Sequence, residues 1–119
     1  MAGEFELFMN ENKEFRFLLR SDTGRVIVTS LCYKTKTDCL DGIEWFREKA
    51  CSTGKNYTNG WVYEIIKDKE KEYLFLLKTE KGKIIAKSGS YWTKTGCKNG
   101  IASVKKNTPA AKIIDMTIS

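Results

Sequence analysis

The sequence predicts an α+β fold made from two tandem βββα(β) units, and three observations carry that expectation. The chain aligns with itself at a shift of 58 residues, without a gap, over residues 5–57 against 63–115. Each copy holds three short runs in which apolar and polar residues alternate, the period-2 signature of half-buried strands. Each then holds one stretch with apolar residues at helical spacing. Residues 1–119 read as a single domain, with repeat 1 at 5–57, a linker at 58–62 and repeat 2 at 63–118.

The repeat is dense enough to exclude chance. Lys13-Glu14-Phe15-Arg16-Phe17-Leu18-Leu19-Arg20 falls on Lys71-Glu72-Tyr73-Leu74-Phe75-Leu76-Leu77-Lys78. Gly24 falls on Gly82, Ile27 on Ile85 and Ser30 on Ser88. Tyr33, Thr35, Lys36, Thr37, Cys39, Gly42 and Ile43 fall on Tyr91, Thr93, Lys94, Thr95, Cys97, Gly100 and Ile101. Fixed-period self-similarity of this kind marks a duplicated supersecondary unit.

Taken in order, Phe5, Leu7 and Met9, matched by Tyr63 and Ile65, predict a first strand. Phe15, Phe17 and Leu19, matched by Tyr73, Phe75 and Leu77, predict a second. The polar clusters 10–13 and 68–71 are hairpin loops. The turns 22–24 and 80–82 place Gly24 and Gly82 where a positive φ is easily met. Residues 25–30 and 83–88 form the third strands. A helix follows, with Thr35 as N-cap and Asp38 in its first turn. Cys39, Ile43 and Phe46, matched by Cys97, Ile101 and Val104, give it one apolar face. Gly42 and Gly100 lie on or beside that face. A mid-helix glycine costs about 1 kcal/mol relative to alanine, so its presence in both copies predicts a close approach of helix backbone to sheet. Asn107-Thr108-Pro109 ends the second helix. Residues 113–118 read as a terminal strand, with 56–58 as a weaker counterpart.

Composition narrows the functional classes. The chain has no histidine and no Cys-x-x-Cys pair among Cys32, Cys39, Cys51 and Cys97. That removes the usual zinc sets and histidine-based catalysis. No apolar run approaches the ~20 residues that span a bilayer, and the N-terminus lacks signal-peptide character. A cytoplasmic protein with reduced thiols is expected. The net charge of +6 is unevenly held. Residues 1–60 carry nine Lys/Arg and nine Asp/Glu, whereas residues 61–119 carry twelve and six. A basic half suits an anionic partner such as nucleic acid; a lysine-rich solvated surface that blunts sheet edges gives the same composition.

The ordered pattern aromatic-Glu-Ile/Leu, Phe-x-Leu, Gly-Lys/Arg-Ile/Val-Ile, Ser-x-x-Tyr and Lys-x-x-x-x-Asn-Gly-Ile-x-Ser-Val-Lys-Lys-Asn resembles the YegP-like proteins, a bacterial and archaeal family of uncharacterised function. The match is closest at Tyr91 and from Lys94 to Asn107. Copy one departs from it at Glu44-Trp45-Phe46, and carries Asp41 where copy two has Asn99. The resemblance implies one antiparallel sheet shared by the two units, with their last strands exchanged. It implies no activity, cofactor or partner.

Two sets of candidate site residues follow. Tyr33, Thr35 and Lys36, with Tyr91, Trp92, Thr93 and Lys94, cluster at the two helix starts. Either the tyrosines pack over the sheet end, or each ring and helix N-terminus receives an anion. The second set rests on strand parity. With Phe15, Phe17 and Leu19 turned to the helices, Leu18, Leu74 and Leu76 point away, and the same alternation turns Val26 and Val28 inward and Ile27 and Ile85 outward. Two helices cover one face of such a sheet, so Leu18, Ile27, Leu74, Leu76 and Ile85 would form an apolar patch with a basic rim. That patch is either an interface for a protein or for self-association, or a surface shielded by Lys and Arg stems. Cys39 and Cys97 read as small core residues. Glu6, Glu64, Glu14 and Glu72 fall on outward or hairpin positions, not in a buried acid–base pair. The expectation is a non-enzymatic binding or interaction module without cofactor or metal; the alternative is a single-stranded nucleic-acid binder using the basic second repeat.

Overall fold

In the computed structural model, residues 3–50, 57–58, 61–79 and 81–117 are described; expectations for Cys51, Asn56, Glu80 and Ile118 lie outside them. Repeat 1 contributes β1 (Glu4–Met9), β2 (Phe15–Arg20), β3 (Val26–Ser30) and α1 (Lys36–Ala50). After β4 (Tyr57–Thr58), repeat 2 contributes β5 (Trp61–Lys67), β6 (Tyr73–Thr79), β7 (Ile84–Ser88), α2 (Lys94–Asn107) and β8 (Lys112–Asp115).

Identical chemistry closes the hairpins of both copies. Asn10 Oδ1 accepts from the backbone N–H groups of Asn12 at 2.9 Å and Glu14 at 3.0 Å. Asp68 Oδ1 does the same for Glu70 and Glu72 at 2.9 and 3.0 Å. Such side-chain turns are the usual reason Asn and Asp head a loop. Gly24 and Gly82 hold φ of 88° and 89°, as expected. Thr35 and Thr93 cap the helices, accepting from Asp38 N–H at 3.0 Å and Gly96 N–H at 2.9 Å.

The strands form one eight-stranded sheet in the order β4-β5-β6-β7-β3-β2-β1-β8. Its seam is the antiparallel pair β3–β7, in which Val28, Thr29 and Ser30 oppose Ser88, Lys87 and Ala86. Thr29 and Lys87 are repeat equivalents facing each other, so a pseudo-twofold axis passes between them. The exchange of terminal strands is present: β8, from repeat 2, runs parallel to β1 of repeat 1. β4 pairs antiparallel with the start of β5.

Both helices pack on one face over a continuous core that includes Phe5, Phe17, Leu19, Cys39, Ile43 and Phe46 from repeat 1, and Phe75, Leu77, Cys97 and Val104 from repeat 2. Phe5, Phe17 and Phe46 meet edge-to-face with centroids 5.5–5.8 Å apart. Ser30 and Ser88 are buried polar joints in this layer. Ser30 Oγ accepts from Phe17 N–H at 3.0 Å and donates to Leu31 O at 2.8 Å. Ser88 repeats this with Phe75 and Gly89.

The expected outer patch needs correction. The register slips between Leu19 and Arg20, so that Leu19 opposes Val28 while Arg20 opposes Val26. The equivalent slip falls between Leu77 and Lys78. A bulge places one unpaired residue between two paired ones and re-aims the side chains beyond it. Ile27 and Ile85 therefore turn into the core, at 3% and 8% exposure, while Val26 and Ile84 turn out at 39% and 46%. Strict alternation assigns these four the wrong way round. Leu18, Leu74 and Leu76 do point off the helix-free face. Leu74 and Leu76 are nevertheless buried, flanked there by Ile66, Glu64 and Lys87 and by the Lys78–Glu64 ion pair at 3.4 Å. Repeat 1 carries the matching pair Arg20–Glu6 at 2.6 Å. Leu18 is half-buried. No continuous apolar patch is left among the five expected residues.

Candidate functional site

The site begins with the two tyrosines. Tyr33 and Tyr91 follow the third strands and bridge back to Phe15 and Tyr73. This lays each ring parallel to a core phenylalanine, Tyr33 on Phe17 and Tyr91 on Phe75, with centroids 6.3 Å apart. The hydroxyl then reaches under the helix. A Cβ placed on Gly42 would lie 2.6 Å from Tyr33 Cζ and closer still to its hydroxyl; one on Gly100 meets Tyr91 in the same way. Both helix glycines thus make room for a tyrosine side chain, and Gly100 also lies close to the Phe75 ring of the sheet.

Burial pushes Tyr33 up to about 12, helped by the neighbouring Cys39. Cys39 is itself pushed up to about 12 by burial. Tyr91 and Cys97 are raised for the same reason, with Arg25 partly offsetting the rise at Tyr91. Charging any of these groups would cost desolvation. They are neutral packing groups at physiological pH.

Beside each tyrosine a cleft opens between the helix of one repeat and the β2–β3-type hairpin of the other. The first, about 320 Å³, is lined by Tyr33, Asp41, Gly42 and Trp45 from repeat 1 and by Thr79, Lys83 and Ile85 from repeat 2. The second, about 350 Å³, contains the equivalent of every one of these: Tyr91, Asn99, Gly100 and Ser103 from repeat 2, and Ser21, Arg25 and Ile27 from repeat 1. The bulge is what supplies Ile27 and Ile85 to these clefts. In the second cleft the Arg25 guanidinium lies over the Tyr91 ring, 5.3 Å from its centroid, a cation–π contact across the repeat boundary. Each cleft therefore combines a tyrosine ring, an isoleucine wall, a cation from the opposite repeat and a carboxylate, Asp41 of the helix in the first and Asp22 of the hairpin in the second. They differ at one large position: the first has Trp45, 60% exposed, where the second has Ser103.

Of the residues expected at the helix starts, only Tyr33 and Tyr91 line these clefts; Ile27 and Ile85 join them from the expected outer patch. Thr35 and Thr93 are occupied as caps. Lys36 points to the edge of the sheet and pairs with Asp115 of β8. Lys94 lies over a separate groove beside β5. Trp92 is 88% exposed and lines neither cleft. Tyr91 and Trp92 share no common surface, because the Tyr91 ring lies against Phe75 while Trp92 is turned to solvent. Sequence reasoning missed Arg25, Lys83, Asp41 and Asn99. The available signal was that Arg25/Lys83 and Ser21/Thr79 keep their chemical type across the duplication.

Two segments of the chain, 10–53 and 68–115, each match the domain of unknown function DUF1508. The chain belongs to the DUF1508 family. One DUF1508 match falls within each repeat. Relatives include the UPF0339 protein in the ptx operon 5′ region of Stutzerimonas stutzeri, 33% identical over 116 residues, with 98% of each chain covered. The UPF0339 protein YegP of Escherichia coli K12 is 33% identical over 127 residues, covering 98% of this chain and all of that one. The solution structure of Escherichia coli YegP, described as a protein of unknown function, superposes with a TM-score of 0.82 at 32% identity, covering 100% and 97% of the two chains. A UPF0339 protein of Shewanella oneidensis gives 0.81 at 31% identity, covering 98% and 93%. The expected resemblance and fold are therefore established, and these relatives are themselves uncharacterised. No helix among the described residues is long and apolar enough to cross a membrane.

Proposed function

We propose that this DUF1508 protein is a non-enzymatic binding module whose two sites are the clefts shared between the repeats. The observation that carries the reading is the one-to-one equivalence of the cleft linings: all seven residues of the first have their counterparts in the second. Each cleft presents a tyrosine ring, one cation and one carboxylate, Asp41 in the first and Asp22 in the second, so a small planar group with an anionic edge would be met at Lys83 or Arg25 and turned away from the carboxylate. Their volumes, about 320 and 350 Å³, fall at the low end of small-ligand pockets.

The test is a benzoate titration of the ¹⁵N-labelled protein. Saturable shifts at the amides around Gly42 and Gly100 are expected. Shifts scattered over the surface, or none at tens of millimolar benzoate, would overturn the proposal. A labelled single-stranded oligonucleotide is titrated in parallel at low and moderate salt. Salt-dependent binding that leaves the cleft amides unmoved would transfer the function to nucleic acid.

A further inference from the structure

β8 displays how a strand docks on this fold. It runs parallel to β1, with Met116 N–H donating to Leu7 O at 2.8 Å. Three anchors hold it. Ile113 packs against the core, and Asp115 pairs with Lys36. Arg47, its guanidinium 5.3 Å from the Phe5 ring centroid, donates to the carbonyls of Thr108, Pro109 and Ala111 at 2.9, 3.1 and 2.8 Å. Under this strand, Leu7 and Ile43 are wholly buried.

The second half carries the same receptor, and among the described residues no strand lies parallel to β5. Lys94 stands at the Lys36 position. Lys105 stands at the Arg47 position, with its ammonium 5.6 Å from the Tyr63 ring centroid as Arg47 lies over Phe5. Ile65 and Ile101, equivalents of Leu7 and Ile43, are only partly buried. Between β5 and α2 they border an open groove of about 630 Å³ whose cations are Lys94, Lys98 and Lys105. Among the described residues none of these lysines is in an ion pair. β4 does not play the part of β8: it is two residues long, antiparallel, and pairs at Trp61 and Val62. In sequence, the positions matching Ile113 and Asp115 hold Lys55 and Tyr57, so the apolar anchor and the acid are both missing.

We propose that this groove accepts an extended segment of another protein, lying parallel to β5 as β8 lies parallel to β1. The segment carries an acidic residue to Lys94 and an aliphatic residue two positions before it. Its backbone carbonyls meet Lys105, and one of its N–H groups meets Ile65 O, the counterpart of Leu7 O. Strand addition of this kind takes affinity from the main chain and selectivity from alternate side chains. Acidic partners are favoured because repeat 2 and its flanks hold the whole excess of positive charge. Among the described residues, entry as far as Val62 displaces the two-residue β4 pairing, a ladder too short to be stable alone.

The probe is the capped peptide of residues 110–117, which reproduces β8, titrated into the full-length ¹⁵N-labelled protein. Shifts are expected at residues 65–67 and around Lys94 and Ile101. Lys94→Glu should weaken binding by up to about fivefold, the range of a partly exposed ion pair. A peptide carrying Asp115→Lys should recover the loss on the Lys94→Glu protein and bind the unmodified protein poorly. Shifts confined to β1, meaning replacement of the resident β8, would overturn the proposal, as would no response at millimolar peptide. Two further results would do so in the protein alone. One is slow hydrogen exchange along the outer edge of β5 at residue 65, showing the groove already filled by its own chain. The other is concentration-dependent dimerisation blocked by Lys94→Glu.

Discussion

Gly42→Ala is the substitution on which the reading of the tyrosines can be tested in detail. In a helix interior the change ordinarily stabilises by about 1 kcal/mol, because alanine restricts the unfolded chain and favours the helix. Here the added methyl lies 2.6 Å from Tyr33 Cζ, inside any real carbon–carbon contact. The ring cannot retreat, since it lies on Phe17 at 6.3 Å between centroids. Overpacking of this kind costs about 1–3 kcal/mol, which outweighs the propensity gain. Gly42→Ala should therefore lose about 1–2 kcal/mol. Tyr33→Ala removes the obstacle, and in that background the same glycine change should become neutral or stabilising, a coupling of about 1–3 kcal/mol, within the range for residues in contact. Urea denaturation followed by circular dichroism gives all four corners of the cycle, provided m is unchanged. Gly100→Ala should be worse, because the Phe75 ring stands 3.0 Å from its added Cβ. A stabilised Gly42→Ala protein, or additivity with Tyr33→Ala, would refute the tyrosine-under-helix packing.

Other perturbations follow from the same geometry. Ser30→Ala and Ser88→Ala each strand a buried N–H, of Phe17 or Phe75, and should cost about 1–3 kcal/mol apiece; urea midpoints within error of the parent would contradict this. Cys39 and Cys97, wholly buried and raised in pKa, should resist thiol reagents at neutral pH until global unfolding; labelling in the native state would show otherwise. The Lys36 ammonium, and then Thr117, hold Asp115 down from 3.8 to about 2. A depressed carboxylate contributes stability above its unfolded value and loses it as pH falls through the folded one. The amides of Lys112–Asp115 should thus lose exchange protection between about pH 4 and pH 2, and Lys36→Ala should remove most of that dependence. A β8 equally protected at pH 2 would count against the pairing.

The fold was legible because duplication repeats the same constraints at the same places. Phe17 and Phe75, Ser30 and Ser88, Gly24 and Gly82 each satisfy one packing, one joint or one turn, so a shift of 58 residues brings them into line. The orientation of Ile27 and Ile85 was not legible. Alternation presumes a regular ladder, and the slip after Leu19 and Leu77 is a property of pairing with a neighbour rather than of the strand itself. The clefts were half legible. Tyr33 and Tyr91 stood out by their position before the helix, but their partners Lys83 and Arg25 arrive across the seam from the other repeat. That meeting depends on β3 pairing with β7, which no local pattern encodes. Lys36 and Lys94 illustrate the opposite case. They are equivalent in sequence, yet among the described residues Lys36 meets an acid and Lys94 does not, because β8 runs parallel to β1 whereas β4 pairs antiparallel with β5.

The benzoate titration repeated on Lys83→Ala tests most directly whether the sites are shared between repeats. Lys83 belongs to repeat 2, but the cleft it lines contains Tyr33 and Gly42 of repeat 1. The substitution should abolish the response at Gly42 and leave Gly100 responding as before, with Arg25→Ala giving the mirror result. Loss at Gly100 instead, with Gly42 untouched, would mean that each repeat builds its own site and would contradict the crossed arrangement.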